Sequence, residues 1–438
     1  MYIPRCSARN QTLISPQNTR FYPGIGQLNP KTLTESHLFE TGGCLVFLCK
    51  IFESNLMNYA ESYKKLEGLI KPDTPEISLP DYNLQISQYG FSSEFPLFTG
   101  APQEKLPAAS ELEEIEDQQI PENLEFNYPV IYPTGKSEFS RAVVLLHGLN
   151  ERSWNKYLPW ATRLAEELQR PVILFPISFH INRSPSAWSN PRKMSAMLPK
   201  TRLRNRRNRS ATFANLALSI RLSQKPLRFF TSGSQSLNDL ASLATSIQAG
   251  KHPLMKKGTV VDFFAYSIGA FLSQIMMLTY GNCLFADSRL FMFCGGAPFN
   301  RMNGISKLIM DEEAFIRLRF FYLRQFDREL RSKGPLAELI CGSQSGQAFR
   351  AMIDSSSFTT WRKDRFQKMS SRIHTIGLKK DLVIPASGIA ELLSPGQTEI
   401  LDFPYEYSHE NPFPVSSDPK LTNQSFDQVF GRAVAFMK

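Results

Sequence analysis

From Arg141 to the C-terminus, apolar positions alternate between two rhythms. Ala142–Leu146, Pro171–Pro176, Val260–Tyr266 and Ser288–Cys294 are short unbroken apolar runs, the pattern of strands buried on both faces of a parallel sheet. Between them the spacing lengthens. Tyr157, Trp160, Ala161, Leu164, Ala165 and Leu168 share one helical face, and after Ser267 so do Ile268, Phe271, Leu272, Ile275 and Met276. The rhythm resumes with Arg372–Gly377 and Glu399–Phe403 as the last two strands, and closes on a helix with Phe426, Val429, Phe430, Ala433, Val434 and Met437 on one side. Such alternation predicts a mostly parallel sheet with helices on both faces.

Two stretches interrupt it. Residues from about 182 to 250 and from about 300 to 368 are largely helical in spacing and rich in aromatics, and they read as insertions over one end of the sheet. Upstream, residues 57–140 start with a helix over Met57–Leu66. They continue as edge strands at Tyr82–Ser87 and Leu124–Tyr132, with Glu111–Asp117 a solvated acidic connection between them. Residues 1–56 mix Asn, Pro, Gly, Thr and Ser around one short apolar run and read as a poorly ordered extension, without the form of a signal peptide.

Composition narrows the class. A 438-residue chain with 42% hydrophobic residues can build a sizeable core, and no apolar stretch nears the length of a membrane span. The net charge of +10 is a mild bias at this length. Six cysteines without paired spacing read as free thiols, which places the protein in a reducing, cytoplasmic setting. Six histidines without ligand spacing give no metal site, and no cofactor is expected. The basic run Lys200–Arg209 lacks interleaved aromatics and reads as a solvated loop, so no nucleic-acid partner is expected.

Candidate chemistry centres on Ala265-Tyr266-Ser267-Ile268-Gly269, where a strand breaks at a serine between small residues and a helix begins. A hydroxyl on so sharp a turn is pushed out above the sheet, which is the form of a nucleophile elbow with Ala in place of the first Gly. A serine needs a base and a group that orients the base. Asp381 and His409 follow in that order, each just past a predicted strand end, and the strand ends of a parallel sheet converge on one edge.

On these residues, with His147-Gly148 after a central strand and Gly377…Asp381-Leu382-Val383-Ile384-Pro385 at the acid, the chain resembles the α/β-hydrolase superfamily over roughly 141–438. Within it the chain is most similar to a group of uncharacterised hydrolase-like proteins of Bacteroidota, a resemblance that implies no particular substrate. It implies Ser267 as nucleophile, His409 as base and then acid, and Asp381 as the orienting carboxylate. It also implies an oxyanion hole from the N–H of Ile268 and that of Leu149 or Asn150.

Each residue has a plainer role to set beside this one. Asp402, inside the last strand, is the reserve acid; His147, Tyr266 and His180 are pocket candidates, with His147 either shaping the oxyanion loop or bonding its backbone; His374 reads as a core residue. Gly342–Gly346 and Gly233–Ser236 mimic an elbow but lack a preceding buried strand. The expectation is an α/β-hydrolase with a helical cap, cleaving a small-molecule carboxylic ester through an acyl-enzyme. Acyl transfer and peptide cleavage use the same machinery. A catalytically silent module that binds ligand or protein is the alternative.

Overall fold

The computed structural model describes residues 58–71, 74–95, 115–204, 208–415 and 417–438; the extension expected at residues 1–56 lies outside them. Nine strands of the described residues form one sheet: β1 (Glu76–Leu79), β2 (Leu84–Ser92), β3 (Glu125–Pro133), β4 (Phe139–Leu146), β5 (Val172–Leu174), β6 (Met255–Tyr266), β7 (Leu290–Phe293), β8 (Ile373–Leu378) and β9 (Thr398–Leu401). Their order is β1-β2-β3-β5-β4-β6-β7-β8-β9. The first three strands make the expected antiparallel edge, with β3 antiparallel to β5. From β5 onward all pairs are parallel. β1 is the one strand that the apolar pattern did not signal, because Glu76-Ile77-Ser78-Leu79 is short and half exposed.

β6 shows how the sheet divides its two faces. Val261, Phe263 and Ala265 point into the core shared with helices Arg228–Gln248 and Ile268–Tyr280. The alternate residues Phe264 and Tyr266 point the other way, where Trp160 lies 6.1 and 5.2 Å from their rings and Phe430 stacks 5.2 Å from Phe264. Helices Tyr59–Leu66, Leu158–Leu168 and Pro419–Met437 pack together on that second side. A central parallel strand apolar on both faces, the crossover that places β5 outside β4, and a sharp turn from β6 into a helix define an α/β-hydrolase fold.

Helices inserted between β5 and β6 and between β7 and β8 form the cap. The two insertions meet where Ser219 Oγ accepts from Asp311 N at 2.9 Å and Asn215 Nδ2 donates to Ser306 O at 2.9 Å. The first insertion is shorter than the expected 182–250. Helix Arg228–Gln248 buries Leu237, Leu240 and Leu243 in the core with Val261 and Phe263, so it is the crossover helix of the sheet. Helical spacing shows that an apolar stripe exists, not which surface it meets.

Buried polar bonds tie this helix to the loop after β5. Arg183, fully buried, donates to Asp239 Oδ2 at 2.9 Å, to Asn123 O at 2.9 Å and to Pro176 O at 3.2 Å. Ser178 N donates to Ser236 Oγ, and Ser178 Oγ to Gln235 Oε1, both at 2.9 Å. Asp117 departs from the solvated role expected of its segment: both Arg221 and Arg228 pair with it. Of the basic run, residues 205–207 and the side chains of 200–204 lie outside the described residues. Cys294 and Cys341 are free thiols but Cys283 is not, which departs from the expectation of six. No helix among the described residues is long and apolar enough to cross a membrane.

At the opposite end of β6 from Ser267, His252 Nδ1 accepts from Leu254 N at 3.2 Å, and its ring lies 4.7 Å from that of Tyr89. Burial lowers its pKa to about 4, and burial also lowers those of His147, His180 and His374. The folded state therefore binds fewer protons than the unfolded chain below about pH 6.5. The stabilising contribution is complete above that pH and is lost as pH falls towards 4. Urea midpoints should drop across this window, and His252→Gln should flatten part of the drop.

Candidate active site

β6 ends at Tyr266, and helix Ile268–Tyr280 begins two residues later. The reversal is made by Ser267, at φ 57° and ψ −119°, a conformation that L residues rarely adopt and that the surrounding packing must enforce. Gly269 permits it. A Cβ there would stand 2.7 Å from Leu146 O, 2.8 Å from Leu146 Cβ and 2.9 Å from His147 O, so any side chain would push the helix off β4. Ala265 is buried within β6, paired in register with Leu146.

The turn aims Ser267 Oγ at His409 Nε2, 2.7 Å away. On the far side of the ring, His409 Nδ1 lies 2.7 Å from Asp381 Oδ2. Asp381 Oδ1 accepts from Val383 N and Ile384 N, both at 2.8 Å, so the carboxyl group is held from both ends. Asp381 is supplied by the turn after β8 and His409 by the loop after β9, which is the edge to which β6 delivers Ser267. A carboxylate at Asp381 makes Nδ1 the donor and leaves the Nε2 lone pair facing the serine hydroxyl. That arrangement can take the hydroxyl proton as the oxygen attacks.

Tyr266 lies beneath the histidine: its ring stacks 5.5 Å from His409 at 18°, and its hydroxyl donates to His409 O. The ring of His409 therefore rests on Tyr266, a pocket candidate that lines neither of the two cavities nearby. His147 is fully buried, with Nε2 accepting from Ile177 N at 2.9 Å and Nδ1 donating to Gly148 O at 2.8 Å. Acceptance at Nε2 requires the neutral ring, and burial pushes its pKa well down. It therefore shapes the loop after β4 and does not line the cavities beside the elbow. Tyr157, which the sequence pattern placed only on an apolar helix face, accepts from Gly148 N at 2.8 Å and donates to Glu151 Oε1 at 2.7 Å.

Two adjoining cavities open beside the elbow, and Leu149, His180, Phe229 and Ser232 lie on both. One, about 50 Å³, is walled by Ile268, Phe271, Leu272, Ile275 and Phe349 and is apolar. The other, about 60 Å³, is walled by Asn150, Arg152, Trp188, Arg221 and Arg228. Ser267 and His409 themselves are 4% and 3% exposed. Leu149 shares the apolar cavity with Ile268. Asn150 does not, and its side chain instead donates to Ala214 O at 2.8 Å and Leu308 O at 2.6 Å, one carbonyl from each insertion. Ile268 opens its helix, where N–H groups have no intrahelical acceptor.

The remaining expectations resolve individually. Asp402 is exposed and pairs with Lys379 and Tyr407, away from His409. Ser343, in one mimic of the elbow, caps helix Gln344–Ile353 by accepting from Gly346 N, and Gly233–Ser236 lies inside helix Arg228–Gln248. A larger cleft of about 900 Å³, lined by Asn300, Arg319, Asp354, Arg362 and Glu391, includes no member of the serine site, so volume alone does not mark the chemistry.

Cys294 Sγ, an Asp381 oxygen and a His409 nitrogen lie within 4.8 Å of one another, a spacing that a cation could use. A metal would need the thiolate. Burial, and after it the charge of Asp381, pushes the Cys294 thiol well up, and the thiol bonds to Asp381 instead. Asp381 and His409 are meanwhile engaged by each other and by Ser267, Val383 and Ile384.

Residues 57–438 match a family of unknown function, DUF6051, and the chain belongs to that family. A comparison with curated proteins finds no match. Among solved structures the chain is similar to a cold-adapted esterase from an Arctic intertidal metagenomic library, with a TM-score of 0.38 and 9% identity over 84% of this chain and 100% of that one. It is also similar to a bacterial heroin esterase, with a TM-score of 0.39 and 12% identity over 81% of this chain and 85% of that one. So loose an overlap carries no argument about chemistry, which rests on the side chains.

The contact at Gly269 is directly testable. Gly269→Ala should lower unfolding stability by about 1–3 kcal/mol, the usual cost of forcing a methyl group into a packed core, as read by urea denaturation. Unchanged stability would show that the helix can back away from β4.

Proposed function

We propose that this member of the DUF6051 family is a serine hydrolase that cleaves carboxylic esters through a covalent acyl-enzyme. The observation that carries the reading is the continuous relay from Ser267 Oγ through His409 to Asp381, with both links at 2.7 Å, on a strained turn that aims the hydroxyl at the imidazole. Ser267 Oγ attacks the ester carbonyl while His409 Nε2 takes its proton. The tetrahedral oxyanion is met by the N–H groups of Ile268 and Leu149. His409 then gives the proton to the departing alkoxide as the C–O bond breaks, and a water, deprotonated by the same nitrogen, releases the acid and restores the serine. Asp381 keeps the imidazole in the tautomer that this cycle needs.

Low exposure of Ser267 and His409 favours one competing reading, a silent module that binds through its cap. The two readings part on covalent labelling. A fluorophosphonate probe should label wild type and leave Ser267→Ala unlabelled; equal labelling or none in both sinks the hydrolase reading.

Replacing the orienting carboxylate tests the relay itself. Asp381→Asn should fold and should lower kcat for any turned-over ester on the order of 10⁴-fold, as in serine hydrolases whose histidine is left in the wrong tautomer. Asp402→Asn should leave turnover within a few-fold. Comparable losses in both variants would argue against Asp381 as the orienting group.

A further inference from the structure

The polar cavity beside the elbow is not electrically neutral. Arg221, 4% exposed, and Arg228, 6% exposed, both line the polar cavity. The carboxylate that serves both is Asp117, which bonds Arg221 Nη2 and accepts from Arg228 Nε at 3.0 Å. Arg228 Nη1 is used on Arg221 O at 3.0 Å. Arg221 Nη1 is buried and has no hydrogen-bond partner among the described residues. The other acids nearby are already engaged: Glu116 pairs with Lys225, and Glu151 pairs with Lys156 and Tyr157. Arg152 adds a further cation to the wall, held by Ala214 O.

Two buried guanidinium groups on one carboxylate leave an uncompensated positive charge, and a buried charge without a partner is costly. Packing fixes where that charge sits. Arg221 lies 4.2 Å over the ring of Trp188 and 5.3 Å over that of Phe179, so the guanidinium is packed against two aromatic rings. On the wall shared with the apolar cavity, His180 gives its Nδ1 proton to Ser178 O at 2.9 Å, which leaves Nε2 as a buried acceptor without a donor. Arg221 and His180 thus both line the space beside Leu149, the one carrying a buried donor and the other a buried acceptor that no group of the described residues engages.

We propose that this cavity takes a free carboxylate of the substrate on Arg221 Nη1, so that the substrate is an acyl compound bearing an acid a short apolar segment from the scissile carbonyl. Assigning that ligand as a substrate rests on the serine-hydrolase reading; the anion site itself does not. A planar guanidinium matches a carboxylate, and a cavity of about 60 Å³ suits so small a group. The adjoining apolar cavity, walled by Ile268 and Phe271, accommodates the hydrocarbon segment. His180 Nε2 accepts from a hydroxyl or N–H between the two ends.

Binding tests this without turnover. N-phenyl amides of succinate, glutarate and adipate mimic the aryl esters of these acids, and each is compared with its methyl ester by calorimetry on the full chain carrying Ser267→Ala. At least one free acid should bind 10-fold or more tightly than its methyl ester, and Arg221→Gln should bring that ratio to about one. Should Arg221→Gln unfold, Arg221→Met, which keeps the length and packing of the side chain without its charge, takes its place with the same expected loss. A ratio near one for all three acids, or a ratio that survives both substitutions, overturns the proposal. A high ratio in a protein that no fluorophosphonate labels would keep the anion site and sink the hydrolase reading; labelling with a ratio of one would do the reverse.

Discussion

The contact on which this structure turns is the one between the start of the Ile268–Tyr280 helix and the end of β4. Gly269 allows the helix to lie on the Leu146 and His147 carbonyls, and that approach in turn holds Ser267 at a positive φ. From this one constraint the neighbouring parts follow. The loop after β4 must leave the sheet beside the elbow, which brings Leu149 next to Ile268. His147, whose carbonyl is part of the contact, uses its ring to take the Ile177 N–H and so fastens the β5 loop to the β4 loop. Tyr157 performs the same service for Gly148. Strain at the serine is thus maintained by several separate bonds, none of which involves the serine.

A second layer of polar bonding decides the shape of the space above the serine. Arg183 and Asp239 form a buried pair that joins the β5 loop to the crossover helix, and Ser178, Gln235 and Ser236 continue the join. A buried pair of this kind contributes modest net stability but strongly penalises any arrangement that separates its members. Its effect here is positional: His180 is held on the wall common to both cavities. Asp117 plays a matching part for the cap, drawing Arg221 and Arg228 together from two helices. Cavity polarity is therefore set by residues that do not themselves touch the reacting atoms.

Much of this was legible in the chain. Strands buried on both faces are written as unbroken apolar runs, so β4, β6, β7 and β8 could be placed to within a few residues. Ser267, Asp381 and His409 stand out in the sequence because each follows a strand end, and a parallel sheet gathers such ends at one edge. β1 was invisible because its alternation, Glu76-Ile77-Ser78-Leu79, runs for only four residues. The crossover helix was read as cap because its apolar stripe does not say which surface it meets. Tyr266 reads in the sequence as a pocket candidate and Tyr157 as part of an apolar helix face, while their hydroxyls bond His409 O and the Gly148 N–H.

What the sequence by itself determined is the order of elements and the kinds of group at each strand end, since periodicity and chain order are local properties. Tertiary structure alone decided the partners. Asp117 and Arg221 are separated by about a hundred residues, and nothing in either neighbourhood marks them as a pair. The acidic segment reads as solvated because charge is solvated by default. Only folding, which removes water from both groups at once, turns the acid into the counterion of two arginines and leaves the charge balance of the cavity unequal.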